Sequence, residues 1–209
     1  MKRTAILACV ALASVLACGQ AAAQSEPIVF VHGYSGSSSN WSTMISRFTS
    51  SGYPSNKLYG FNYNSLTSSD TASGAQLASY VSSVRSRHGG ERVSIVAHSN
   101  GGLVSRAYRV FNNGSSAMRR FVTLGTPHQG TTWAYACFSP ACFDMRPGSL
   151  FLLRLAGRGC DRSLWSANDG IILPATNARC GTSTQVASVS HLSLLTDGSV
   201  YNSVRAALR

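Results

Sequence analysis

Residues 92–104 read Arg-Val-Ser-Ile-Val-Ala-His-Ser-Asn-Gly-Gly-Leu-Val and pass from an apolar run through a turn into a helical pattern. The run from Val93 to Ala97 suits a strand that is buried on both faces. Two small residues, Ala97 and Gly101, flank Ser99 and would allow a sharp turn that projects the Ser99 hydroxyl from the sheet edge. The N-terminus of the following helix would lie beside this hydroxyl and favour negative charge there. This context makes Ser99 a candidate nucleophile, although the usual G-x-S-x-G pattern begins here with Ala97.

The chain on either side of this turn alternates strand and helix patterns. Strands are predicted at 27–31, 58–63, 92–97, 121–124, 163–165 and 184–189. Helices are predicted over 40–49, from an N-cap at Asp70 to a stop at Gly89-Gly90, after Gly101-Gly102 to Val110, and over 198–208. Strands separated by helices predict an α/β fold with a mostly parallel central sheet covered by helices on both faces.

The composition excludes several classes of protein. Of the 209 residues, 44% are hydrophobic and 12% charged, which argues against a disordered tail protein or a long coiled coil. The formal net charge is +11, but no phosphate-binding loop or nucleic-acid motif accompanies it, so we expect no nucleic-acid partner. The charge would serve either solubility or attraction to an anionic membrane or lipid surface. With 7 Asp and Glu in all, the chain lacks the clustered oxygens of a calcium site, and we expect no metal and no cofactor.

The N-terminus has the pattern of a secretory signal peptide. Lys2-Arg3 precede an apolar run from Ala5 to Ala17, and Ala21-Ala22-Ala23 offer a cleavage site. We therefore expect a signal peptide over 1–23, a single domain over 24–209 and secretion. The alternative is a lipoprotein that is processed and anchored at Cys18.

Four cysteines remain after such a leader, which in an exported protein suggests two disulfides. The sequence allows three pairings, and nearest-neighbour pairing gives Cys137–Cys142 and Cys160–Cys180. A zinc site is disfavoured because no C-x-x-C pair is present.

A nucleophilic serine needs a base, and the base needs an orienting acid. The order of these residues in this fold class is Ser, acid, His. That order excludes His128, because no carboxylate lies between it and Ser99, and leaves His191 as the base. Three carboxylates lie between Ser99 and His191: Asp144, Asp161 and Asp169. We favour Asp169, because it lies in a turn directly after a predicted strand.

The loop after the first strand is a candidate for half of an oxyanion hole. It reads Val31-His32-Gly33-Tyr34-Ser35-Gly36. The backbone N–H groups of Tyr34 and Asn100 would hold the negatively charged oxygen of a tetrahedral intermediate. We expect His32 to shape this loop rather than to transfer protons.

Four segments together resemble the small secreted bacterial lipases of the α/β-hydrolase superfamily. They are 30–34, 97–102, 126–130 and 165–170, within a resemblance that runs from Pro27 to the C-terminus. The resemblance implies a triacylglycerol lipase or carboxylesterase that works through an acyl-enzyme. It implies that Ser99 is the nucleophile, His191 the general base and Asp169 the orienting acid, with Tyr34 and Asn100 as oxyanion donors.

The same triad would serve a polyester depolymerase, a phospholipase or a thioesterase, and a non-catalytic lipid-binding protein is a further alternative. We expect a monomer that acts on a lipid ester at a lipid–water interface, with a minimal lid or none. The stretch Thr131–Cys160 departs from the resemblance, because it is longer than in the smallest members. Its aromatic and leucine residues in 131–155 suggest an apolar rim for substrate entry. The alternative for the leucines is core packing of a helix over 149–156.

Overall fold

The computed structural model describes residues 25–209, which form a six-stranded sheet in which every neighbouring pair of strands is parallel. The strands are β1 (Ile28–Val31), β2 (Leu58–Phe61), β3 (Val93–His98), β4 (Met118–Leu124), β5 (Arg162–Trp165) and β6 (Thr182–Gln185). Their order across the sheet is β2-β1-β3-β4-β5-β6. The predicted mostly parallel α/β architecture is confirmed.

In the described part of the chain, six α-helices connect or flank the strands. They are α1 (Ser42–Ser50), α2 (Asp70–Arg87), α3 (Asn100–Phe111), α4 (Pro140–Met145), α5 (Leu150–Leu155) and α6 (Gly198–Ala207). None of the helices in residues 25–209 combines the length and the apolarity that crossing a membrane requires.

The helices cover both faces of the sheet because successive strand residues point to opposite sides. Ile28 and Phe30 of β1 belong to one hydrophobic cluster, which includes residues of α1 and α6. Val29 and Val31 belong to a second cluster on the other face, with residues of α2 and α3. All four β1 residues are therefore buried, which explains why this strand is a continuous apolar run.

The strand order brings the loops after β1 and β3 together. The chain leaves β1 toward β2 on one side, and β3 lies on the other side of β1. Such a reversal of strand order opens a crevice at the carboxyl ends of the two strands, where open α/β sheets bind ligands. The loop that begins at His32 and the turn at Ser99 both lie at this edge.

Several element boundaries differ from the sequence-based expectations, among them the following three. Ser69, not Asp70, is the N-cap of α2, since its side chain accepts a hydrogen bond from the Ala72 N–H at 3.2 Å. The α3 helix begins at Asn100, directly after Ser99, rather than after Gly102. The last strand spans 182–185 rather than 184–189, because its register pairs it with the four residues of β5.

Residues 25–209 contain two disulfides, Cys137–Cys142 and Cys160–Cys180, in the nearest-neighbour pairing expected from the sequence. The expected signal peptide over 1–23 and the alternative lipid site at Cys18 lie outside the described residues.

Candidate active site

Ser99 occupies a strained turn between β3 and α3. Its backbone has φ 54° and ψ −132°, a conformation that residues with a side chain rarely adopt. Hydrogen bonds hold the turn on both sides: the Ser99 N–H donates to the Leu124 carbonyl, and the Thr126 hydroxyl donates to the Ser99 carbonyl, each at 2.9 Å. These hydrogen bonds therefore stabilise a strained turn from which the Ser99 side chain points out of the sheet.

Glycines allow the neighbouring backbone to approach this turn closely. A Cβ on Gly101 would lie 2.6 Å from the Val31 carbonyl oxygen and would also meet the backbone of His32. A Cβ on Gly33 would lie 2.8 Å from the Cβ of Ser99. The loop after β1 thus lies directly against Ser99, as the requirement for small residues at the turn predicted.

Asp169 and His191 meet in a buried hydrogen bond. The His191 Nδ1 lies 2.8 Å from the Asp169 Oδ2, and the two residues are 6% and 3% exposed. The other carboxylate oxygen, Oδ1, accepts from the N–H groups of Ile171 at 3.0 Å and Ile172 at 2.7 Å. Because a carboxylate accepts from Nδ1–H, the imidazole is left with Nε2 free to accept a proton.

The other two candidate acids are engaged elsewhere. Asp144 accepts a hydrogen bond from the Asp70 backbone N–H at 2.8 Å, and Asp161 accepts one from the Phe121 N–H at 3.0 Å. His128 is buried and its Nε2 lies 2.9 Å from the Thr123 hydroxyl. The structure therefore brings Asp169, and neither Asp144 nor Asp161, against His191.

Two residues that support the His191–Asp169 pair were missed at the level of sequence. The His98 Nε2 lies 3.0 Å from the His191 carbonyl oxygen, and burial holds the pKa of His98 well below its usual value, so a neutral His98 donates this hydrogen bond. Gly125, at φ 53°, leaves room for the pair, because a Cβ there would lie 2.8 Å from the Asp169 Oδ2. The position of His98 directly before Ser99 was the one available sequence clue.

The predicted oxyanion donors both lie beside Ser99. Among residues 25–209, neither the Tyr34 N–H nor the Asn100 N–H donates a hydrogen bond to another group. The Ser99 hydroxyl also lacks a partner in this part of the chain, and such contacts commonly tighten only when a substrate binds. Two unengaged N–H groups next to a serine are the arrangement that an oxyanion hole requires.

His32 is fully buried and shapes the loop that carries Tyr34. Its Nδ1–H donates to the Gly33 carbonyl at 2.8 Å, while its Nε2 accepts from the Tyr63 N–H at 3.3 Å. The His32 and Tyr63 rings stack at 4.3 Å. Burial lowers the pKa of His32, which favours the neutral ring that this hydrogen-bonding pattern needs.

Part of the segment 131–155 is exposed and apolar, and the start of the segment contacts both sides of the site. The Thr131 hydroxyl donates to the Ile171 carbonyl near Asp169, and the Trp133 ring packs edge-on against Tyr34 at 6.0 Å. The exposed members of the segment are Tyr135, Phe138, Phe143, Leu150 and Leu153, whereas Met145, Phe151 and Leu152 are buried and Trp133 is half-buried. We call the exposed set the apolar rim.

Arg146 holds the aromatic part of the rim together. Its guanidinium lies 4.2 Å from the centre of the Phe143 ring, with Tyr135 and Phe138 at 5.2 and 5.9 Å. It also donates to the Ala134 carbonyl at 3.2 Å and the Cys137 carbonyl at 3.1 Å. These contacts and the Cys137–Cys142 disulfide keep large aromatic side chains at the surface.

Among residues 25–209, one group of side chains approaches metal-ligand spacing: His128, Cys160 and Cys180. The two cysteines are joined in a disulfide, and burial together with the Arg106 guanidinium lowers the pKa of His128 well below its usual value. A cation would meet this positive guanidinium and no thiolate, so the group does not fit a metal ion.

Comparisons with known proteins find lipases. Two curated triacylglycerol lipases, from Pseudarthrobacter phenanthrenivorans and Burkholderia plantarii, are each 31% identical over 121 residues, or 54% of this chain. The chain spans about a third of the length of these relatives, since the matches cover 36% and 32% of them.

Solved structures share the fold at low sequence identity. The mature lipase BlEst2 of Bacillus licheniformis superposes with a TM-score of 0.70 at 20% identity, covering 88% of this chain and 91% of that one. Lipase B of Aspergillus fumigatus gives 0.68 at 14% identity, covering 81% and 49%. The fold is therefore that of the α/β-hydrolases.

The family model described as "Lipase (class 2)" matches residues 25–204, which include Ser99, Asp169, His191 and both oxyanion candidates. The match takes in all six strands and most of α6. The chain belongs to the class 2 lipase family.

Proposed function

We propose that this protein hydrolyses carboxylic esters of lipids, as a triacylglycerol lipase or carboxylesterase, through a Ser99–His191–Asp169 triad. The observation that carries the proposal is the buried 2.8 Å hydrogen bond between Asp169 and His191, in a fold that also holds Ser99 on a strained turn with two N–H groups beside it that have no acceptor among residues 25–209. Both curated relatives are triacylglycerol lipases, which supports the choice of substrate.

In the first half of the reaction, the Ser99 oxygen attacks the ester carbonyl while its proton passes to the His191 Nε2. The carbonyl oxygen becomes negatively charged and accepts hydrogen bonds from the Tyr34 and Asn100 N–H groups, each worth about 3 kcal/mol in the transition state. The tetrahedral intermediate collapses, the proton on His191 goes to the leaving alkoxide, and an acyl-enzyme on Ser99 remains.

In the second half, water replaces the alcohol. His191 takes a proton from the water as it attacks the acyl carbonyl, and the same two N–H groups stabilise the new oxyanion. Collapse returns that proton to the Ser99 oxygen and releases the carboxylic acid. Throughout, Asp169 keeps its negative charge, holds the imidazole in one tautomer and stabilises the imidazolium.

The apolar rim supports a lipid substrate. Phe138 is 78% and Leu150 80% exposed, and Leu192, directly after His191, is 70% exposed. A group of large exposed apolar side chains marks a surface that contacts lipid or another apolar partner. The protein would dock at a lipid–water interface, where this surface leaves water.

We further propose that the protein is exported by a leader over 1–23, with anchoring through Cys18 as the alternative. The two disulfides support an oxidising compartment, since such bonds are rare in the cytosol.

The test compares the wild-type protein with Ser99→Ala on soluble p-nitrophenyl esters from acetate to stearate and on emulsified triglyceride. Loss of a triad nucleophile lowers kcat by about 10⁶, and Ser99→Ala should also escape labelling by a fluorophosphonate. Ser86→Ala, which removes an exposed hydroxyl on α2, is the matched control and should be unchanged.

Retention of more than about one per cent of the activity by Ser99→Ala would exclude the nucleophile assignment, given the size of the expected loss. A wild-type protein that binds triglyceride but hydrolyses no ester would indicate a non-catalytic lipid-binding protein. Parallel assays on a phospholipid, a polyester and a thioester would show how fast the protein hydrolyses the other substrates that the same triad could serve.

A further inference from the structure

A buried carboxyl group lies beneath the proposed oxyanion hole. Asp70, the first residue of α2, is 0% exposed, and its Oδ1 accepts a hydrogen bond from the Asn100 side-chain Nδ2 at 2.8 Å. Gly74 lets α2 approach α3 closely enough for this contact, because a Cβ there would lie 2.9 Å from Ala107. The sequence predicted Asp70 as the N-cap of this helix and gave no sign of its burial.

The buried pair of Asp70 and Asn100 side chains has more hydrogen-bond acceptors than donors. The Asp70 Oδ2 and the Asn100 Oδ1 are both buried and without a hydrogen-bond partner among residues 25–209. In the same part of the chain, no Lys, Arg or His lies within ion-pair distance of Asp70. A buried ionised carboxylate with neither a cation nor a full set of donors is strongly unfavourable.

We propose that Asp70 is a neutral carboxylic acid that positions the oxyanion hole: its O–H donates to the Asn100 Oδ1, and its carbonyl accepts from the Asn100 amide. A protonated acid and a primary amide are complementary, each offering one donor and one acceptor. One proton on Asp70 thus satisfies both orphaned oxygens. The inference rests on the proposed function, because Asp70 positions, through Asn100, the oxyanion hole of that reaction.

The arrangement connects the two sides of the hole. The Asn100 Nδ2 also lies 3.4 Å from the Tyr63 hydroxyl, which donates to the His32 carbonyl at 2.9 Å. The Asn100 backbone supplies one proposed oxyanion N–H, and the loop from His32 carries the other, on Tyr34. Asp70 therefore holds, through Asn100 and Tyr63, the residues on both sides of the developing charge.

The surrounding titratable groups favour the neutral form. Asp144 of α4 accepts the Asp70 backbone N–H, and its charge adds to burial in raising the pKa of Asp70. Tyr63 is fully buried with a raised pKa, and His32 has a lowered pKa, so both are neutral near pH 7. None of these groups supplies a positive charge that would stabilise an Asp70 carboxylate.

The test compares Asp70→Asn, Asp70→Leu and Asn100→Ala on a soluble p-nitrophenyl ester, with folding checked by circular dichroism. Asparagine reproduces the donor and acceptor of a neutral acid, so Asp70→Asn should keep kcat within about threefold. Asp70→Leu removes both hydrogen bonds, and its kcat should fall 10- to 100-fold with little change in KM, because a misplaced oxyanion donor acts in the transition state. Asn100→Ala should behave like Asp70→Leu, and the double variant should lose no more than the larger single loss.

A spectroscopic measurement keeps the proposal testable if Asp70→Leu does not fold. The infrared difference spectrum between the wild-type protein and Asp70→Asn at pH 7.5 should contain the carbonyl stretch of a protonated carboxylic acid. Asp161→Asn, which removes another partly buried carboxyl, should leave that band in place. Absence of the band, or an Asp70→Leu protein that folds with wild-type kcat, would overturn the proposal. A wild-type protein that hydrolyses no ester and escapes fluorophosphonate would instead overturn the proposed function.

Discussion

Replacing Asp169 with asparagine would separate the effect of this acid on His191 from its effect on the surrounding loop. In the wild-type protein, Oδ2 accepts from His191 and Oδ1 accepts from the N–H groups of Ile171 and Ile172. Asparagine keeps one carbonyl oxygen for the two backbone N–H groups and presents an NH₂ group to the imidazole. The imidazole must then accept at Nδ1, and Nε2 carries the proton that it should receive from Ser99.

The expected loss of activity is large and the loss of stability small. A wrong tautomer in a triad lowers kcat by about 10⁴, or about 5 kcal/mol in the activation barrier. Asp169→Ala should lose similar activity, but it also leaves a buried N–H group, on Ile172, and a partly buried one, on Ile171, without acceptors, at about 1–3 kcal/mol each. Asp169→Ala should therefore be less stable than Asp169→Asn by about 2–6 kcal/mol.

The assay combines kcat on p-nitrophenyl butyrate with the free energy of unfolding from urea titration. Asp161→Asn is the matched control, since it makes the same substitution at a rejected candidate acid and should retain full activity. An Asp169→Asn protein with more than a tenth of wild-type kcat would refute the orienting role. If Asp169→Asn and Asp169→Ala destabilised the protein equally, the idea that Oδ1 holds the loop while Oδ2 orients His191 would be refuted.

Three further predictions follow from the packing, the disulfides and the buried histidines. Gly101→Ala should lower the free energy of unfolding by about 2–3 kcal/mol or more, because the new methyl meets rigid backbone carbonyls; an unchanged urea midpoint would contradict this. Replacing both Cys160 and Cys180 with serine should destabilise the protein by about 3 kcal/mol, because the disulfide closes the loop that carries Asp169. An unchanged melting temperature and kcat would mean that the disulfide only links surface loops and does not hold Asp169 in place. The free energy of unfolding should fall as the pH drops below about 6.5. The reason is that His32, His98 and His128 bind a proton there in the unfolded chain but not in the folded protein, where burial lowers the pKa of each. Each histidine contributes up to about 1.4 kcal/mol per pH unit. The raised pKa of Asp70 has the opposite effect over the same pH range, because the folded protein holds a proton there that the unfolded chain releases. Asp70→Asn should therefore lose stability more steeply than the wild-type protein as the pH falls. Urea titrations of both proteins at pH 5, 6 and 7 would contradict this if the free energy of unfolding changed equally with pH in the two.

Local sequence determined the turn that carries Ser99. An apolar run predicts β3, and small residues at 97 and 101 permit the strained bend. A helical pattern then predicts α3, so strand, turn and helix all follow from neighbours along the chain. The proposed base, His191, was also predicted from sequence, because the expected order of the triad and the scarcity of carboxylates excluded His128.

Tertiary structure decided the features that depend on contacts between distant segments. Sequence favoured Asp169 over Asp144 and Asp161 because it follows a predicted strand, but the folded loop after β5 is what brings its carboxylate to the imidazole of His191. The leucines of α5 look alike in sequence, yet Leu152 packs with α3 and Leu153 faces outward, because the side on which a short helix docks is set by its partner.

Asp70 is the clearest case of this difference. At the start of a helix its local pattern is that of an exposed cap, and capping depends only on the adjoining backbone. Its burial depends on Gly74, which lets α2 lie close to α3, and on Asp144, which lies 74 residues further along the chain. Turns and helix starts depend on interactions within a few residues, whereas the protonation and partner of a buried acid depend on everything that the fold packs around it.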